Sequence, residues 1–159
     1  TVWPNKYLLY GPRARLLAPQ SGAMGYGLPA ALAAAAAHPD RTVVCVAGDG
    51  DLQMAVAELG TAVQHGLRVI VLVVDNGMYG TIRMHQARRH PGRAVGTELV
   101  NPDFEALAQA YGLHAECVDR TGAFSTAWRR ALAAPQGAVL QLKVDPRALT
   151  PGQTLDDLE

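Results

Sequence analysis

Thr42-Val43-Val44-Cys45-Val46-Ala47 runs into Gly48-Asp49-Gly50, and Val69-Ile70-Val71-Leu72-Val73-Val74 runs into Asp75-Asn76-Gly77. Each run is continuously aliphatic and of strand length, without the alternation of a half-exposed strand. Such strands are covered on both faces. Between them, from Asp51 to Gly66, the residues Leu52, Val56, Leu59 and Val63 recur at helical spacing and define one apolar face. A strand, a helix and a second wholly apolar strand predict a parallel sheet with helices on either side. The fold class is therefore α/β, a three-layer α/β/α arrangement around a mainly parallel sheet.

Upstream, Gly22, Gly25 and Gly27 make a flexible turn, Pro29 suits a first helical turn, and the alanine-rich run to Ala37 is a helix closed by His38-Pro39. Residues 1–21 read as an irregular lead-in in which only Leu16-Leu17 hints at a strand. Downstream, a short helix is predicted from Tyr79 to about Gln86. The run from Gln86 to Val100 is rich in Arg, His and Gly and has no apolar period, so it is expected to order only around a bound ligand. A helix opening at Pro102 carries Phe104, Leu107, Ala108 and Tyr111 on one face and is capped by Gly112. Leu113 to Val118 is a short strand, and Phe124 to Leu132 is an amphipathic helix. Ala138 to Val144 is the last strand, its Gln141 and Lys143 marking a less covered face. Residues 22–145 are thus the domain proper, and 146–159 a polar, loosely held tail.

Composition narrows the partners. Of 159 residues, 49% are hydrophobic and 18% charged, enough for one soluble domain with a core. Lys and Arg, 14 together, balance 14 Asp and Glu, which removes the basic footprint of a nucleic-acid binder. No apolar stretch approaches the roughly 20 residues of a membrane span. Cys45 and Cys117 sit in apolar runs without metal-type spacing, and read as two buried thiols in a reducing, cytoplasmic setting. The opening Thr1-Val2-Trp3-Pro4 lacks an initiator Met and a signal pattern, so the chain is expected to be a piece of a longer protein.

In an open α/β sheet, ligands bind outside the carboxyl ends of the strands, so Gly48-Asp49-Gly50 and Asp75-Asn76-Gly77 face one crevice. Asp49 and Asn76 there offer an anionic and a neutral oxygen, a pair suited to a hard cation such as Mg²⁺. The helix opening at Asp51 directs free N–H groups to the same place, while Gly48 and Gly50 permit close approach of a phosphate. A diphosphate–Mg²⁺ site is the economical reading, although Gly-Asp-Gly or Asn-Gly alone is a common turn.

The joint pattern carries more. Gly22-Ala23-Met24-Gly25-Tyr26-Gly27-Leu28-Pro29, Gly48-Asp49-Gly50, Glu58-Leu59 and Asn76-Gly77-Met78-Tyr79-Gly80 together resemble the diphosphate-binding domain of thiamine-diphosphate enzymes. The likeness is to the acetolactate synthase-like group and covers about residues 15 to 145. It implies that Asp49, the Asn76 side-chain oxygen and the Met78 carbonyl ligate Mg²⁺, and that Gly50 and Asp51 present N–H groups to the diphosphate. Gly22 would meet the aminopyrimidine amine, and Met24, otherwise readable as core filler, would prop the bent cofactor. Ala23, Gly48, Tyr79 and Gly80 complete the implied cofactor contacts. Further implications are a 2-oxo acid substrate, decarboxylation followed by transfer or release of the remaining unit, a homodimer or homotetramer, and FAD in a middle domain of some relatives.

Two positions depart from the family pattern. Asp51 stands where a small residue is usual, and is expected to turn away and cap the helix. Asp75 replaces the first of two asparagines. The activating glutamate of the family, which belongs to a pyrimidine-binding domain of the same or a neighbouring subunit, has no counterpart among Glu58, Glu98, Glu105, Glu116 and Glu159. No catalytic residue is therefore assigned in this chain, and it is expected to be inactive alone. The first strand of the usual domain is likewise expected to lie upstream of Thr1. The rival reading is a non-catalytic nucleotide- or phosphate-binding module, for which the Gly22–Gly27 spacing lacks the Gly-x-Gly-x-x-Gly order. His85 to Arg93 reads as a solvated basic loop or as a contact to an anionic substrate.

Overall fold

The two apolar runs become adjacent parallel strands, β1 (Val43–Gly48) and β2 (Val69–Asp75), with Val43 opposite Val69 and Gly48 opposite Val74. They belong to a computed structural model that describes residues 2–12 and 14–158. Thr1, where the lead-in was expected to start, Arg13 within it, and Glu159, the end of the tail, lie outside the described residues. Two further strands, β3 (His114–Val118) and β4 (Ala138–Lys143), complete a parallel sheet of order β1-β2-β4-β3.

Helices follow in chain order as α1 (Val2–Tyr7), α2 (Gly27–Ala37), α3 (Asp49–Gln53), α4 (Glu58–Gln64), α5 (Gly80–Arg89), α6 (Phe104–Ala110) and α7 (Thr121–Ala133). On one face of the sheet, Leu28, Leu32, Leu52, Leu59 and Phe104 pack with Val69, Val71, Val73 and Val139. On the other, Ala127 and Ala131 of α7 meet Ile70, Val118 and Leu140. Alternate residues of β2 thus enter opposite cores, which is why its sequence cannot alternate in polarity. Each fully buried Leu, Ile or Phe here contributes about 1.5–3 kcal/mol. Among the described residues, no helix is long and apolar enough to cross a membrane.

Several expectations are corrected. The single helix predicted from Asp51 to Gly66 is two helices joined by tighter turns, in which Met54, Ala55, Glu58, Leu59 and Gly60 each bond the carbonyl three residues back. Apolar spacings of three and four suit either winding, so the pattern could not separate them. Val63 is exposed and Ala62 takes the buried place. In the lead-in, α1 replaces part of the expected irregular run, and Leu16 and Leu17 are exposed outside any strand. The polar half of β4 is not its open face, because Gln141 is buried; Val44 and Val144 are about 40% exposed on the side that α7 covers incompletely.

The run from Gln86 to Val100 carries its own anchors. Its first residues extend α5, and the Gln86 amide exchanges two bonds of 3.0 Å with the Val95 backbone. Met78 and Glu98 form an antiparallel bridge, flanked by Tyr79 N to Thr97 O and Leu99 N to Gly77 O, each 2.8 Å. The run thus has hydrogen-bonded anchors within the chain that its lack of an apolar period did not indicate. The tail is not loose either. It forms a hairpin, β5 (Ala148–Thr150) and β6 (Gln153–Thr154), buries Leu155, pairs Arg147 with Asp156, and meets α5 through Arg88 and Gln153.

The two thiols part company. Cys45 is buried, and burial, with the nearby Asp51 charge, pushes its thiol up to about 12, whereas Cys117 is exposed. Burial also raises Cys117, but reagent can reach it. Alkylation of the native protein at pH 8 followed by peptide mapping is expected to modify Cys117, with Cys45 labelled only after denaturation. Equal labelling of both would contradict this packing.

Candidate functional site

Because Gly48 lies opposite Val74, the next residues of the two strands, Asp49 and Asp75, leave the sheet side by side. Asp49 opens α3 and Asp75 ends β2; they are 2% and 4% exposed. Two carboxylates this buried require hydrogen bonds, and both are supplied. Asp49 Oδ1 accepts from Gly50 N at 2.9 Å, and its Oδ2 accepts from Gly77 N at 2.8 Å and Asn101 Nδ2 at 2.7 Å. Asp75 Oδ1 accepts from Asn101 Nδ2 at 2.8 Å and Gly77 N at 3.2 Å, while Oδ2 takes Gln141 Nε2 and Lys143 Nζ, each at 2.6 Å.

Burial pushes the Asp75 carboxyl up, but the bonds from Lys143, Gln141 and Asn101 and the charge of Lys143 outweigh it and hold the group below its ordinary value. Chiefly through the same contact, the Lys143 ammonium is raised. Both therefore stay charged at neutral pH, and the lysine offsets the second of two adjacent negative charges.

Beyond Asp75 the chain turns tightly. Asn76 Oδ1 accepts from Met78 N at 3.2 Å, and the Met78 carbonyl accepts from Gly80 N at 3.0 Å across Tyr79, whose φ of −77° and ψ of 74° describe an inverse γ-turn. The Tyr79 ring lies on Gly50: a Cβ there would sit 2.4 Å from the ring. A glycine at position 50 thus lets the turn after β2 close onto the start of α3. The turn from Asn76 to Gly80 is in this way drawn against Asp49 and Gly50 through Gly77 N and the Tyr79 ring.

The glycine turn joins from the other side. Gly25 N donates to Asp51 Oδ1 at 2.5 Å, so the Asp51 side chain is held by this turn and does not cap its own helix. Met24 is 40% exposed, which excludes the core-filler reading, and Gly22 and Ala23 are exposed beside it. The basic residues His85, Arg88, Arg89 and His90 lie on the exposed surface of α5 and at its end.

Sequence reasoning missed Asn101, Gln141 and Lys143. Their one signal is polarity at odd places: two polar residues inside a strand, and an asparagine held extended before Pro102. The oxygens expected to hold a metal are one carboxylate, one amide and one backbone carbonyl. That is a hard-donor set suited to Mg²⁺, and each oxygen keeps acceptor capacity beyond its present bonds. Among the described residues there is no cluster of three His, Cys, Asp or Glu able to hold an ion.

Residues 1–142 match the family described as "Thiamine pyrophosphate enzyme, C-terminal TPP binding domain". An acetolactate synthase of Arthrospira platensis is 37% identical over 145 residues, covering 90% of this chain and 25% of that protein. The acetolactate synthase isozyme 3 large subunit of Escherichia coli K12 is 46% identical over 92 residues, covering 57% of this chain and 16% of that protein. Among solved structures, a thiamine diphosphate-dependent 4-hydroxybenzoylformate decarboxylase of Rhodococcus jostii RHA1 superposes with a TM-score of 0.70 at 35% identity, over 79% of this chain and 23% of that one. The chain spans about a quarter or less of the length of these relatives.

Proposed function

The chain belongs to the thiamine pyrophosphate enzymes, as an acetolactate synthase-like C-terminal TPP-binding domain, and from that footing we propose that it holds Mg²⁺ and thiamine diphosphate through Asp49, Asn76 and the Met78 carbonyl. The observation that carries this is the bond from Gly77 N to Asp49 Oδ2, 2.8 Å, which ties the two strand-end turns bearing these oxygens into one unit. The Asp51 N–H, in the first turn of α3, receives the diphosphate, joined by the Gly50 N–H when it leaves Asp49 Oδ1, which it meets at 2.9 Å in the cofactor-free chain. Gly22, Ala23 and the exposed Met24 meet the remainder of the cofactor, with Gly48, Tyr79 and Gly80 closing the turns around it.

When bound, the cofactor supplies the electron sink for decarboxylation of a 2-oxo acid. This chain's own residues bind and orient it. Asp51 holds the glycine turn against α3, and the Tyr79 ring packs the turn after β2 onto Gly50. The activating carboxylate comes from a pyrimidine-binding domain of the same or a neighbouring subunit, and the working enzyme is a homodimer or homotetramer. In the whole protein the reaction is acetolactate synthase-like: decarboxylation, then transfer or release of the remaining unit; FAD in a middle domain belongs to some relatives of this family.

The test is made on the full-length protein with pyruvate. Release of CO₂ that requires both Mg²⁺ and thiamine diphosphate is expected. Saturable cofactor binding with no turnover of any 2-oxo acid would instead favour a non-catalytic phosphate-binding module.

A further inference from the structure

The structure assigns Asn101 as a positioning residue for the expected metal ligand Asp49: one side-chain NH₂ group bridges the carboxylates of Asp49 and Asp75 and leaves one defined Asp49 oxygen for a cation. This rests on the site reading above. Asn101 Nδ2 has two hydrogens and uses both, at 2.7 Å to Asp49 Oδ2 and 2.8 Å to Asp75 Oδ1. Its own Oδ1 accepts from Gln53 Nε2 at 2.9 Å, so the amide cannot flip without putting its oxygen against two carboxylates. The backbone is fixed as well. Pro102 follows, and Asp103 caps α6 by accepting from Ala106 N at 3.0 Å.

The consequence for Asp49 is an asymmetry between its oxygens. Among the described residues, Oδ2 receives two donors, Gly77 N and Asn101 Nδ2, and Oδ1 receives only Gly50 N. Oδ1 therefore has the freer lone pair, and rotation of the carboxylate would sacrifice two bonds to expose the other oxygen. Without Asn101, the Asp49 and Asp75 carboxylates would face each other with Gly77 N alone between them. Repulsion would then turn Asp49 out of its present plane. A bound Mg²⁺ demands near-ideal octahedral geometry at short distance, whereas Ca²⁺ tolerates irregular arrangements. Misorientation of one ligand should accordingly weaken Mg²⁺ far more than Ca²⁺.

The experiment uses full-length protein and measures the Mg²⁺ and Ca²⁺ concentrations giving half-maximal thiamine diphosphate binding, by calorimetry or fluorescence. In Asn101→Ala the Mg²⁺ requirement is expected to rise about ten- to a hundredfold, the usual cost of losing a residue that supports a metal ligand. The Ca²⁺ requirement should rise several-fold less. Gln53→Ala, an exposed change that only frees the Asn101 amide, should move the same ratio in the same direction by a smaller factor, and keeps the test available if Asn101→Ala fails to fold. Parallel loss of both metals would point to a merely structural role and overturn the assignment, as would no loss of either. If Asp49→Ala abolishes Mg²⁺-dependent binding while the ratio is unmoved in these variants, only the positioning role falls. If Asp49→Ala itself has no effect, the site reading fails and takes this inference with it.

Discussion

Asp49→Ala in the full-length protein is expected to lower Mg²⁺-dependent thiamine diphosphate affinity by about a hundredfold or more. Loss of a residue that only supports a ligand costs about ten- to a hundredfold, and Asp49 is expected to be the ligand itself. Stability of the cofactor-free protein should move much less, because two opposing effects meet at this position. Gly50 N, Gly77 N and Asn101 Nδ2 lose their acceptor, which is unfavourable by about 1–3 kcal/mol for each donor left buried and unpaired. Against this, the buried charge beside Asp75 disappears, and water can enter the space to satisfy the donors. Titration calorimetry of thiamine diphosphate at saturating Mg²⁺ decides the matter, and unchanged affinity in the variant would remove Asp49 from the site.

Gly137→Ala is expected to produce the largest loss of stability available from a single methyl group. Gly137 precedes β4 with φ of +97°, and a Cβ there would lie 2.5 Å from the Val69 carbonyl oxygen and 3.1 Å from Val69 N. Both obstacles are backbone atoms of β2, locked by the strand pairing that begins at Ile70 and Ala138. Strained dihedrals cost about 1–3 kcal/mol and overpacking about as much again. The sum is comparable to a large part of the roughly 5–15 kcal/mol that holds a domain together. A fall in melting temperature of about 10 °C, or insoluble expression, is the expected outcome. Gly22→Ala serves as the control: φ is +68° there, yet nothing lies within 4 Å of the added carbon. Its effect should be confined to about 1–2 kcal/mol of dihedral strain. Equal melting temperatures for the Gly137 variant and the parent protein would show that β2 and β4 can separate there without penalty.

The parts of this fold that the sequence made legible are those fixed by local pattern. Unbroken apolar runs at β1 and β2 gave the parallel sheet, the rule that ligands gather at strand carboxyl ends pointed to Asp49 and Asn76, and the family resemblance pointed to the turn from Met78 to Gly80. What stayed hidden depends on partners far along the chain. Lys143 looked like the solvent side of an alternating strand, and Gln141 like its neighbour. Both polar heads are instead consumed by Asp75, a fact that no window of a few residues contains. Asn101 stands just before the helix expected to open at Pro102, where nothing local marks a role for it, and the cap of that helix is Asp103. The tail reads as polar because most of it is, and the single buried Leu155 that holds its hairpin down gives no periodic signal.

The distances along the chain between Asp75 and its partners also set an order of events during synthesis. Asp49 and Asp75 leave the ribosome before their partners, since Asn101, Gln141 and Lys143 follow Asp75 by 26, 66 and 68 residues. At about 5–20 residues per second the compensating ammonium emerges several seconds after the acid it neutralises. Until then β2 lacks its central neighbour β4, and two carboxylates at adjacent strand ends repel each other with no cation between them. Pairings across so many residues are slow to close, since the chain must be brought round before any contact rewards it. The crevice is thus the last part of the nascent domain to acquire its shape, and a ribosome stalled before Lys143 would display both acids without a pocket.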